Sequence, residues 1–211
     1  MSYAVKEIYH SLQGEGYHTG RPAVLLRFAG CNLWTGRARD RDRAVCRFCD
    51  TDFVGTDGPG GGVFTTADAL ADAVVDTQPA WDDGPPFVVC TGGEPLLQLD
   101  RPLIDALHAR HATIAVETNG TLHAPEGIDW ICVSPKAHAP LLLDRGDELK
   151  FVYPQRDAAP EQFVSLSFDH FYLQPMDGPD RVANTERALA YMERHPRWKL
   201  SIQTHKVFGL P

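Results

Sequence analysis

The sequence predicts an α/β protein built around parallel strands. Short runs rich in β-branched and aliphatic residues recur along the chain, and helical patterns lie between some of them. Alternation of this kind is typical of parallel sheets with right-handed crossovers. Two of the intervals are too short or too rich in Pro and Gly for a crossover helix, and a complete eight-fold barrel needs about 250 residues. We therefore expect a partial, TIM-like barrel from which several crossover helices are missing.

The apolar runs define the predicted strands in chain order. They span residues 23–28, 87–91, 113–118, 130–134, 149–153, 171–174 and 199–204. Helices are predicted at 66–76, at 101–110 with Pro102 in the first turn, and at 184–194 with Asn184 as the N-cap. The Gly-rich stretch 54–62 is interpreted as a flexible surface loop, because the elements on both sides follow one repeating pattern. Residues 1–211 are therefore expected to form a single domain.

Polar and glycine-rich segments follow most of the predicted strands. They cover residues 30–31, 91–95, 117–120, 134–136, 174–176 and 203–205. Chemistry in parallel α/β folds gathers at the carboxyl ends of the strands. We therefore expect a polar rim at that end of the barrel, with a functional site in it.

Charge and composition exclude some classes of function. The formal net charge of -8 argues against general binding to nucleic acid or to anionic lipid, since both attractions are mostly electrostatic. A composition of 43% hydrophobic and 23% charged residues is ordinary for a soluble globular protein. The N-terminal sequence does not resemble a secretion signal, and no apolar run nears the length of a membrane span. We expect a cytoplasmic protein.

Three of the five cysteines are clustered, with the spacing C-x14-C-x2-C at positions 31, 46 and 49. An odd cysteine count without a secretion signal argues against a disulfide framework. Structural zinc prefers four protein ligands, so a zinc site here would need a distant residue such as His205. A [4Fe-4S] cluster held by three cysteines instead leaves one iron open for another ligand.

The last two cysteines of this group lie in CRFC, with Phe48 before Cys49. This is similar to part of the signature of the radical S-adenosylmethionine (SAM) superfamily, although the first gap is stretched to fourteen residues. TGGEP at 91–95 resembles the GGE motif of the same superfamily. Its glycines allow close backbone approach to a ligand, and its glutamate offers a carboxylate to the SAM ammonium.

More narrowly, segments over nearly the whole chain resemble the 7-carboxy-7-deazaguanine synthase family. They are SLQGEG (11–16), LLRFAGCNLW (25–34), CDTDF (49–53), CTGGEP (90–95), VETNGT (116–121), VSPKA (133–137), LQPM (173–176) and IQTHK (202–206). The resemblance implies a radical ring contraction of 6-carboxy-5,6,7,8-tetrahydropterin to 7-carboxy-7-deazaguanine, with loss of ammonia, on the route to queuosine and other 7-deazapurines. It also implies a [4Fe-4S] cluster, SAM and Mg2+ as cofactors.

The resemblance further implies roles for individual residues. The cluster would be held by Cys31, Cys46 and Cys49, and Mg2+ by Thr51. SAM would be bound by Phe48, Gly92, Gly93, Glu94, Ser134, Pro135, Lys136, Gln174 and Met176. The substrate would be bound by Leu12, Gln13, Gly14, Glu15, Arg27, one of Cys90 and Thr91, His205 and Pro211. Glu15 and His205 would also take part in catalysis.

Chemistry supports several of these roles. Gln13 and Glu15 can hydrogen-bond a guanidine-like edge, and Arg27 can hold a carboxylate in a two-pronged contact. A neutral threonine hydroxyl can suffice for Mg2+ when the substrate adds a carboxylate, but oxygen chemistry alone favours the neighbours Asp50 and Asp52.

Two further segments suggest contacts near the site. The insert 32–45 carries Arg37, Arg39, Arg41 and Arg43, a basic patch that could dock an acidic electron donor such as flavodoxin or merely shield the cluster. The C-terminal residues after His205 are expected to fold back over the barrel mouth, burying Val207, Phe208 and Leu210 and bringing Pro211 to the site. The family resemblance also implies a homodimer.

Two alternative functions remain open from the sequence. Glycyl-radical activating enzymes are also small proteins with a three-cysteine loop, and their substrate is a partner protein. A zinc-stabilised binding module without catalysis is the alternative from a different class.

Overall fold

The computed structural model describes residues 2–210. Its centre is a nine-stranded sheet in the order β3-β1-β2-β4-β5-β6-β7-β8-β9. The strands are β1 (Tyr3–Leu12), β2 (Pro22–Phe28), β3 (Gly62–Phe64), β4 (Phe87–Gly92), β5 (Thr113–Thr118), β6 (Trp130–Val133), β7 (Arg145–Tyr153), β8 (Ser167–Pro175) and β9 (Trp198–Leu200). Strands β2 and β4 to β9 run parallel, whereas β1 pairs antiparallel with β2 and β3.

The sheet does not close, because β3 and β9 form its two edges. The helices are α1 (Ala67–Val75), α2 (Arg101–His108), α3 (Arg181–Met192) and α4 (Thr204–Phe208). Within residues 2–210 no α-helix connects β5 to β6 or β6 to β7. The predicted partial barrel of parallel strands with missing crossover helices is therefore confirmed.

The start of α1 follows the sequence prediction, since the Thr66 hydroxyl accepts a hydrogen bond from the backbone N–H of Ala69 at 3.2 Å. The predicted start of α3 is wrong. The helix begins at Arg181, and Asn184 lies buried inside it, where its side chain donates to the carbonyl of Met176 at 2.9 Å. Asn184 therefore fixes the end of β8 instead of capping the helix.

The alternation of side chains along the strands divides the sheet into two faces. On β4, Val88 and Cys90 pack with α1 and α2 in a large apolar core, and Val89 lies in a separate apolar cluster. On β7, Leu149 and Phe151 belong to a second core against α3. The opposite face, which we call the inner face, carries the polar side chains of the site.

Three sequence predictions need correction at the edges of the sheet. The strands β1 and β3 were not predicted. The last strand ends at Leu200, because the backbone N–H and hydroxyl of Thr204 both bond to the carbonyl of Gly14 and draw the chain off the sheet. The loop 54–62 is not free, since its backbone is hydrogen-bonded to β1 through Gly58 and Pro59.

The C-terminal segment also differs from expectation. Residues Thr204–Phe208 form the short helix α4, and Gly209 ends it in a left-handed conformation. Val207 and Phe208 are 62% and 72% exposed, so the predicted burial of these side chains is wrong. The helix is held instead by Lys206, whose ammonium pairs with Asp50 and Asp177. Pro211, a predicted substrate contact, lies outside the described residues.

None of the helices in residues 2–210 combines the length and the apolar content that crossing a membrane requires.

Candidate active site

Two adjoining cavities open at the carboxyl ends of the parallel strands. The cysteine cavity, of about 170 Å3, is lined by Cys31, Cys46 and Cys49 and by the ends of β4, β5 and β8. The arginine cavity, of about 280 Å3, is lined by Arg27 and by the segment after β1. The two share Glu15, Asp50, Thr51, Glu117 and Gln203. They therefore form one continuous site, as expected for the polar rim.

The three clustered cysteines face the same cavity. Cys46 is buried, whereas Cys31 and Cys49 are half-buried. The hydrogen bond between Cys46 and Cys49 raises the pKa of the Cys46 thiol and lowers that of Cys49 to about 6. Cys49 is therefore the thiol that most readily becomes the thiolate that metals bind.

The donor set fits a cluster better than a single ion. In the part of the chain that the structure describes, no group of three or more His, Cys, Asp or Glu side chains could hold one metal ion. A cluster takes its cysteines at separate irons, so they need not converge on one point. Three thiols around an open cavity thus match a [4Fe-4S] cluster with a free iron, and do not match closed four-coordinate zinc.

The loop that carries these cysteines is held by Arg41. Its guanidinium stacks on the Trp34 ring at 4.0 Å and donates to the carbonyls of Arg47 and Cys49 at 2.8 and 2.9 Å. A small apolar cluster of Trp34, Ala44 and Phe53 packs beneath Cys31 and Cys49. Arg41 therefore shapes the loop, and only the other arginines of the insert are exposed.

Gly92 and Gly93, at the end of β4, pack tightly against the backbone that leads from β2 to Cys31. A Cβ at Gly92 would lie 2.3 Å from the carbonyl oxygen of Phe28, and one at Gly93 would lie 2.0 Å from that of Gly30. Both glycines line the cysteine cavity. Only residues without a side chain permit this contact, which brings Cys31 beside the end of β4.

Glu94 is buried between the ends of two strands. Its carboxylate is fully buried and accepts hydrogen bonds from the Thr118 hydroxyl at 2.6 Å, from Asn119 N–H at 2.8 Å and from Leu96 N–H at 3.0 Å. It does not line the cysteine cavity. Glu94 therefore joins the ends of β4 and β5, next to the cavity residues Gly93 and Asn119, and its contact with a SAM ammonium stays a prediction.

Most other residues predicted to bind SAM line the cysteine cavity, namely Phe48, Ser134, Lys136, Gln174 and Met176. The Lys136 ammonium folds back onto the carbonyl and hydroxyl of Ser134, both at 2.6 Å. Pro135 is buried and lies outside this cavity, where its carbonyl accepts a hydrogen bond from Gln155 at 3.0 Å. Ser134 and Lys136 at the end of β6, and Gln174 and Met176 at the end of β8, therefore form one wall of the cysteine cavity.

The residues predicted to bind substrate line the arginine cavity, namely Leu12, Gln13, Gly14, Glu15, Arg27, Thr91 and His205. Cys90 is the exception, because strand alternation places it in the core on the helical face with no exposure. Its predicted substrate contact is therefore corrected in favour of Thr91. Arg27 donates from Nε to Glu7 at 2.7 Å and from Nη2 to Tyr9 at 3.0 Å, so Nη1 can serve a ligand.

A buried ion pair network joins the two cavities. The ammonium of Lys150, only 3% exposed, lies 2.7 Å from Glu15 and 2.8 Å from Glu117. Burial alone would raise the pKa of Glu15, but the charge and hydrogen bond of Lys150 lower it to about 2. Gln174 and Gln203 add hydrogen bonds to Glu15 at 3.0 and 2.9 Å. Glu15 is thus held as a carboxylate in a fixed position.

Sequence reasoning missed Glu117, Lys150 and Gln203 as site residues. Glu117 was available at a predicted strand end, in VETNGT. Lys150 interrupts the otherwise apolar strand LKFVY, and a lysine at an inward position of a buried strand was the signal for a charged site.

Thr51 lines both cavities, and each of the aspartates beside it in sequence forms an ion pair with a lysine. Asp50 pairs with Lys206, and Asp52 lies 3.0 Å from Lys6. His205 lies on α4 beside Gly14, and burial lowers the pKa of its imidazole. Near neutral pH this histidine is therefore able to accept a proton.

Comparison with known proteins gives a consistent result. The chain is 62% identical to the 7-carboxy-7-deazaguanine synthase of Caulobacter vibrioides and 60% identical to that of Bordetella pertussis, over the full length of both chains in each case. The synthase of Bacteroides thetaiotaomicron is 41% identical, again over both full lengths. No family model matches the chain.

A solved structure has the same fold. The chain superimposes on QueE from Escherichia coli with a TM-score of 0.70 and 27% sequence identity, covering 96% of this chain and 94% of the other.

Proposed function

The chain belongs to the 7-carboxy-7-deazaguanine synthase family, and from that premise we propose that it converts 6-carboxy-5,6,7,8-tetrahydropterin into 7-carboxy-7-deazaguanine with loss of ammonia. The observation that carries the proposal is the junction of a three-cysteine cavity with an arginine-lined cavity through Glu15, Thr51 and Glu117. A radical enzyme needs its cofactor and its substrate in contact, and a junction of this kind would allow that contact.

Cys31, Cys46 and Cys49 would hold a [4Fe-4S] cluster, with SAM in the rest of the cysteine cavity. When bound, the cluster and SAM together supply the one-electron chemistry that starts the reaction. Gly92 and Gly93 offer backbone groups at close approach, and Gln174 and Met176 form the opposite wall. Lys136 can leave Ser134 for the carboxylate of SAM, since both partners lie at the cavity wall.

The substrate would lie in the arginine cavity. The carboxylate of the pterin pairs with Arg27, whose orientation is set by Glu7 and Tyr9. The donor-rich guanidine edge faces Gln13 and Glu15. Because Glu15 is kept ionised by Lys150, it accepts hydrogen bonds without competing for a proton. His205 would carry a proton to or from the substrate, since its imidazole is neutral near pH 7.

Mg2+ would bind at Thr51 together with the substrate carboxylate. Asp50 and Asp52 pair with Lys206 and Lys6, whereas the Thr51 hydroxyl, which donates a hydrogen bond to Cys49, lines both cavities and keeps its lone pairs for a metal ion. We expect Thr51→Ala to weaken the stimulation of turnover by Mg2+, with Thr56→Ala as a control outside both cavities. An unchanged magnesium titration would move the metal to one of the aspartates.

The proposal includes a partner and an assembly. The exposed Arg37, Arg39 and Arg43 could attract an acidic flavodoxin-like donor, and Arg41 is excluded because it is bound within the loop. We expect charge reversal of these three to slow flavodoxin-driven reduction and to remove its salt dependence. A cytoplasmic homodimer, and the predicted substrate contact of Pro211, belong to the same proposal.

The test of the proposed function is turnover by the pure, cluster-loaded protein. Under anaerobic conditions with SAM, a reductant and 6-carboxy-5,6,7,8-tetrahydropterin, we expect 7-carboxy-7-deazaguanine by mass spectrometry. Cys49→Ser is the inactive comparison, because it removes one cluster ligand. Purified protein with zinc but neither iron nor sulfide would contradict the proposal, and so would activity only on a partner protein, the reaction of a glycyl-radical activating enzyme.

A further inference from the structure

Glu148 is a buried carboxylate that none of the roles above uses. It lies on the inner face of β7, two residues before Lys150 and therefore one layer deeper in the barrel. The residue is 2% exposed. Its Oε2 accepts a hydrogen bond from the backbone N–H of Tyr17 at 3.1 Å, whereas Oε1 has no well-formed hydrogen bond in the described part of the chain and has only the Trp130 side chain as a further donor close by. A buried carboxylate with so few donors is costly to ionise, which favours its neutral form.

The carboxylate supports the segment that binds substrate. A Cβ at Gly16 would lie 1.9 Å from Oε1 of Glu148, so the backbone of Gly16 rests directly against it. Gly16 and Tyr17 follow Gln13 and Glu15 without interruption. The segment 13–17, which we call the substrate loop, is thus bound to β7 twice, through Glu15 on Lys150 and through Tyr17 on Glu148.

The charges around Glu148 explain its state. The titratable and charged groups that face it are Lys150 on the same strand, Glu117 on β5, Cys132 on β6, His170 and Tyr172 on β8, and Tyr17 in the substrate loop. Lys150 already neutralises Glu15 and Glu117 at 2.7 and 2.8 Å. An ionised Glu148 would be a third carboxylate for one ammonium, in a site closed to water.

We propose that Glu148 is a positioning residue that must stay neutral for the substrate loop to hold Gln13 and Glu15 in place. Its ionisation would draw Lys150 away from Glu15 and repel Glu117, which loosens the loop at its Glu15 attachment, whereas the hydrogen bond from Tyr17 N–H to Glu148 remains. The inference rests on the proposed function, because the loop supplies the predicted pterin contacts. It predicts a substrate affinity controlled by one buried proton.

Burial raises the pKa of Glu148 to about 7, with Lys150 opposing and Glu117 adding to the shift. Below that pH the group is neutral and the loop is held, and above it the group ionises and the loop loosens. The substrate KM should therefore rise with pH above about 7. Replacement by glutamine keeps the shape and the neutral state, and so should remove this rise.

The test is the pH dependence of KM for 6-carboxy-5,6,7,8-tetrahydropterin in the cluster-loaded wild-type enzyme and in Glu148→Gln. Between about pH 6 and about pH 8 we expect the wild-type KM to rise about threefold or more while that of the variant stays flat, with kcat little changed in both. Glu186→Gln, on the exposed surface of α3, makes the same change of charge and should keep the wild-type profile.

The outcomes separate this inference from the proposed function. Absence of turnover in the wild-type enzyme at every pH contradicts the proposed function. Turnover with the same rise of KM in wild type and Glu148→Gln overturns the inference alone. If the variant does not fold, the inference is tested by a carbon NMR titration of the glutamate carboxyl groups in the wild-type protein. We expect one resonance to titrate near 7, and ionisation of every glutamate well below pH 6 overturns the inference.

Discussion

The floor of the site and the cysteine loop beside it are built in opposite ways. The floor consists of Glu15, Glu117, Glu148 and Lys150, three of them on strands. The almost fully buried ammonium of Lys150 pairs with Glu15 and Glu117 at 2.7 and 2.8 Å. The cysteine loop, residues 31–53, contains only one short 3-10 turn, Ala38–Arg43, with no buried residue in it. Its order depends on a few side chains such as Arg41.

The difference indicates where each half of the site obtains its geometry. Strands and buried charges fix the floor in the protein alone, since Lys150 already pairs with both Glu15 and Glu117. The loop has a small apolar cluster and thiols that face a cavity, so a bound cluster would supply the remaining constraint. Substitutions in the floor should therefore affect folding, whereas those in the loop should affect metal content.

The largest effect should follow from Lys150→Met. This variant leaves Glu15 and Glu117 buried without their counter-charge, which typically costs about 3–5 kcal/mol of stability. Turnover should be lost as well, because Glu15 is no longer held. Urea denaturation of the purified protein measures the effect, and Lys199→Met on the exposed side of β9 is the control. A stability loss no greater than that of the control would show that the ion pairs do not hold the floor.

Gly93→Ala tests the contact between the two regions. The added methyl group would meet the carbonyl oxygen of Gly30 at 2.0 Å, so either β4 or the cysteine loop must move, at a cost of about 1–3 kcal/mol. We expect both lower stability and lower iron content after reconstitution. Gly62→Ala, whose Cβ would meet only the Phe64 ring at 3.9 Å, is the matched control. Full iron content in the Gly93 variant would show that the geometry of the cysteine loop does not depend on its contact with β4.

Glu148→Gln should raise the free energy of unfolding at high pH, because the buried Glu148 ionises less readily in the folded protein than in the unfolded chain. The pKa of Glu148 is about 7 in the folded protein against an ordinary 4.5, so ionisation makes folding less favourable as pH rises from about 4.5 through 7. At about pH 8 the variant should exceed wild type by roughly 1–3 kcal/mol, and at about pH 4 the two should be equal. Denaturation at both pH values measures this. A constant difference would mean that Glu148 has an unshifted pKa.

The smallest change in stability is expected for Arg41→Ala in the loop. Loss of the stack on Trp34 and of the contact with the Cys49 carbonyl should cost less than about 1 kcal/mol. Iron and sulfide content and the lifetime of the cluster in air should nevertheless fall clearly below those of Arg39→Ala, whose side chain is 72% exposed. Equal cluster lifetimes in both variants would return Arg41 to the role of an ordinary surface residue.

The same division explains what could be predicted from the sequence. Apolar strands with polar ends were visible, and so were the cysteine spacing and Gly92–Gly93, because these features are local. Strand β1 was missed since a shift of register between Val5 and Glu7 breaks its alternation. The ion pair between Lys150 and Glu15 joins residues far apart in sequence, and only the assembled sheet brings them together.

Other errors have a similar origin. The sequence did not reveal that Glu94 links two strand ends, because its partners, the Thr118 hydroxyl and Asn119 N–H, lie at the end of a different strand. The apolar residues Val207 and Phe208 suggested burial, yet the ion pairs of Lys206 decide where α4 lies. In each case a distant partner overrode the local pattern.

Hydrogen exchange measured with and without the cluster tests the central claim most directly, which is that the floor is formed by the protein and the cysteine loop by its cofactor. We predict that cluster reconstitution strongly slows exchange in residues 31–53. Exchange in β7 and in the substrate loop should be slow in both forms and nearly identical. Rapid exchange in β7 or the substrate loop without the cluster, or equal exchange of the cysteine loop in both forms, would contradict the account.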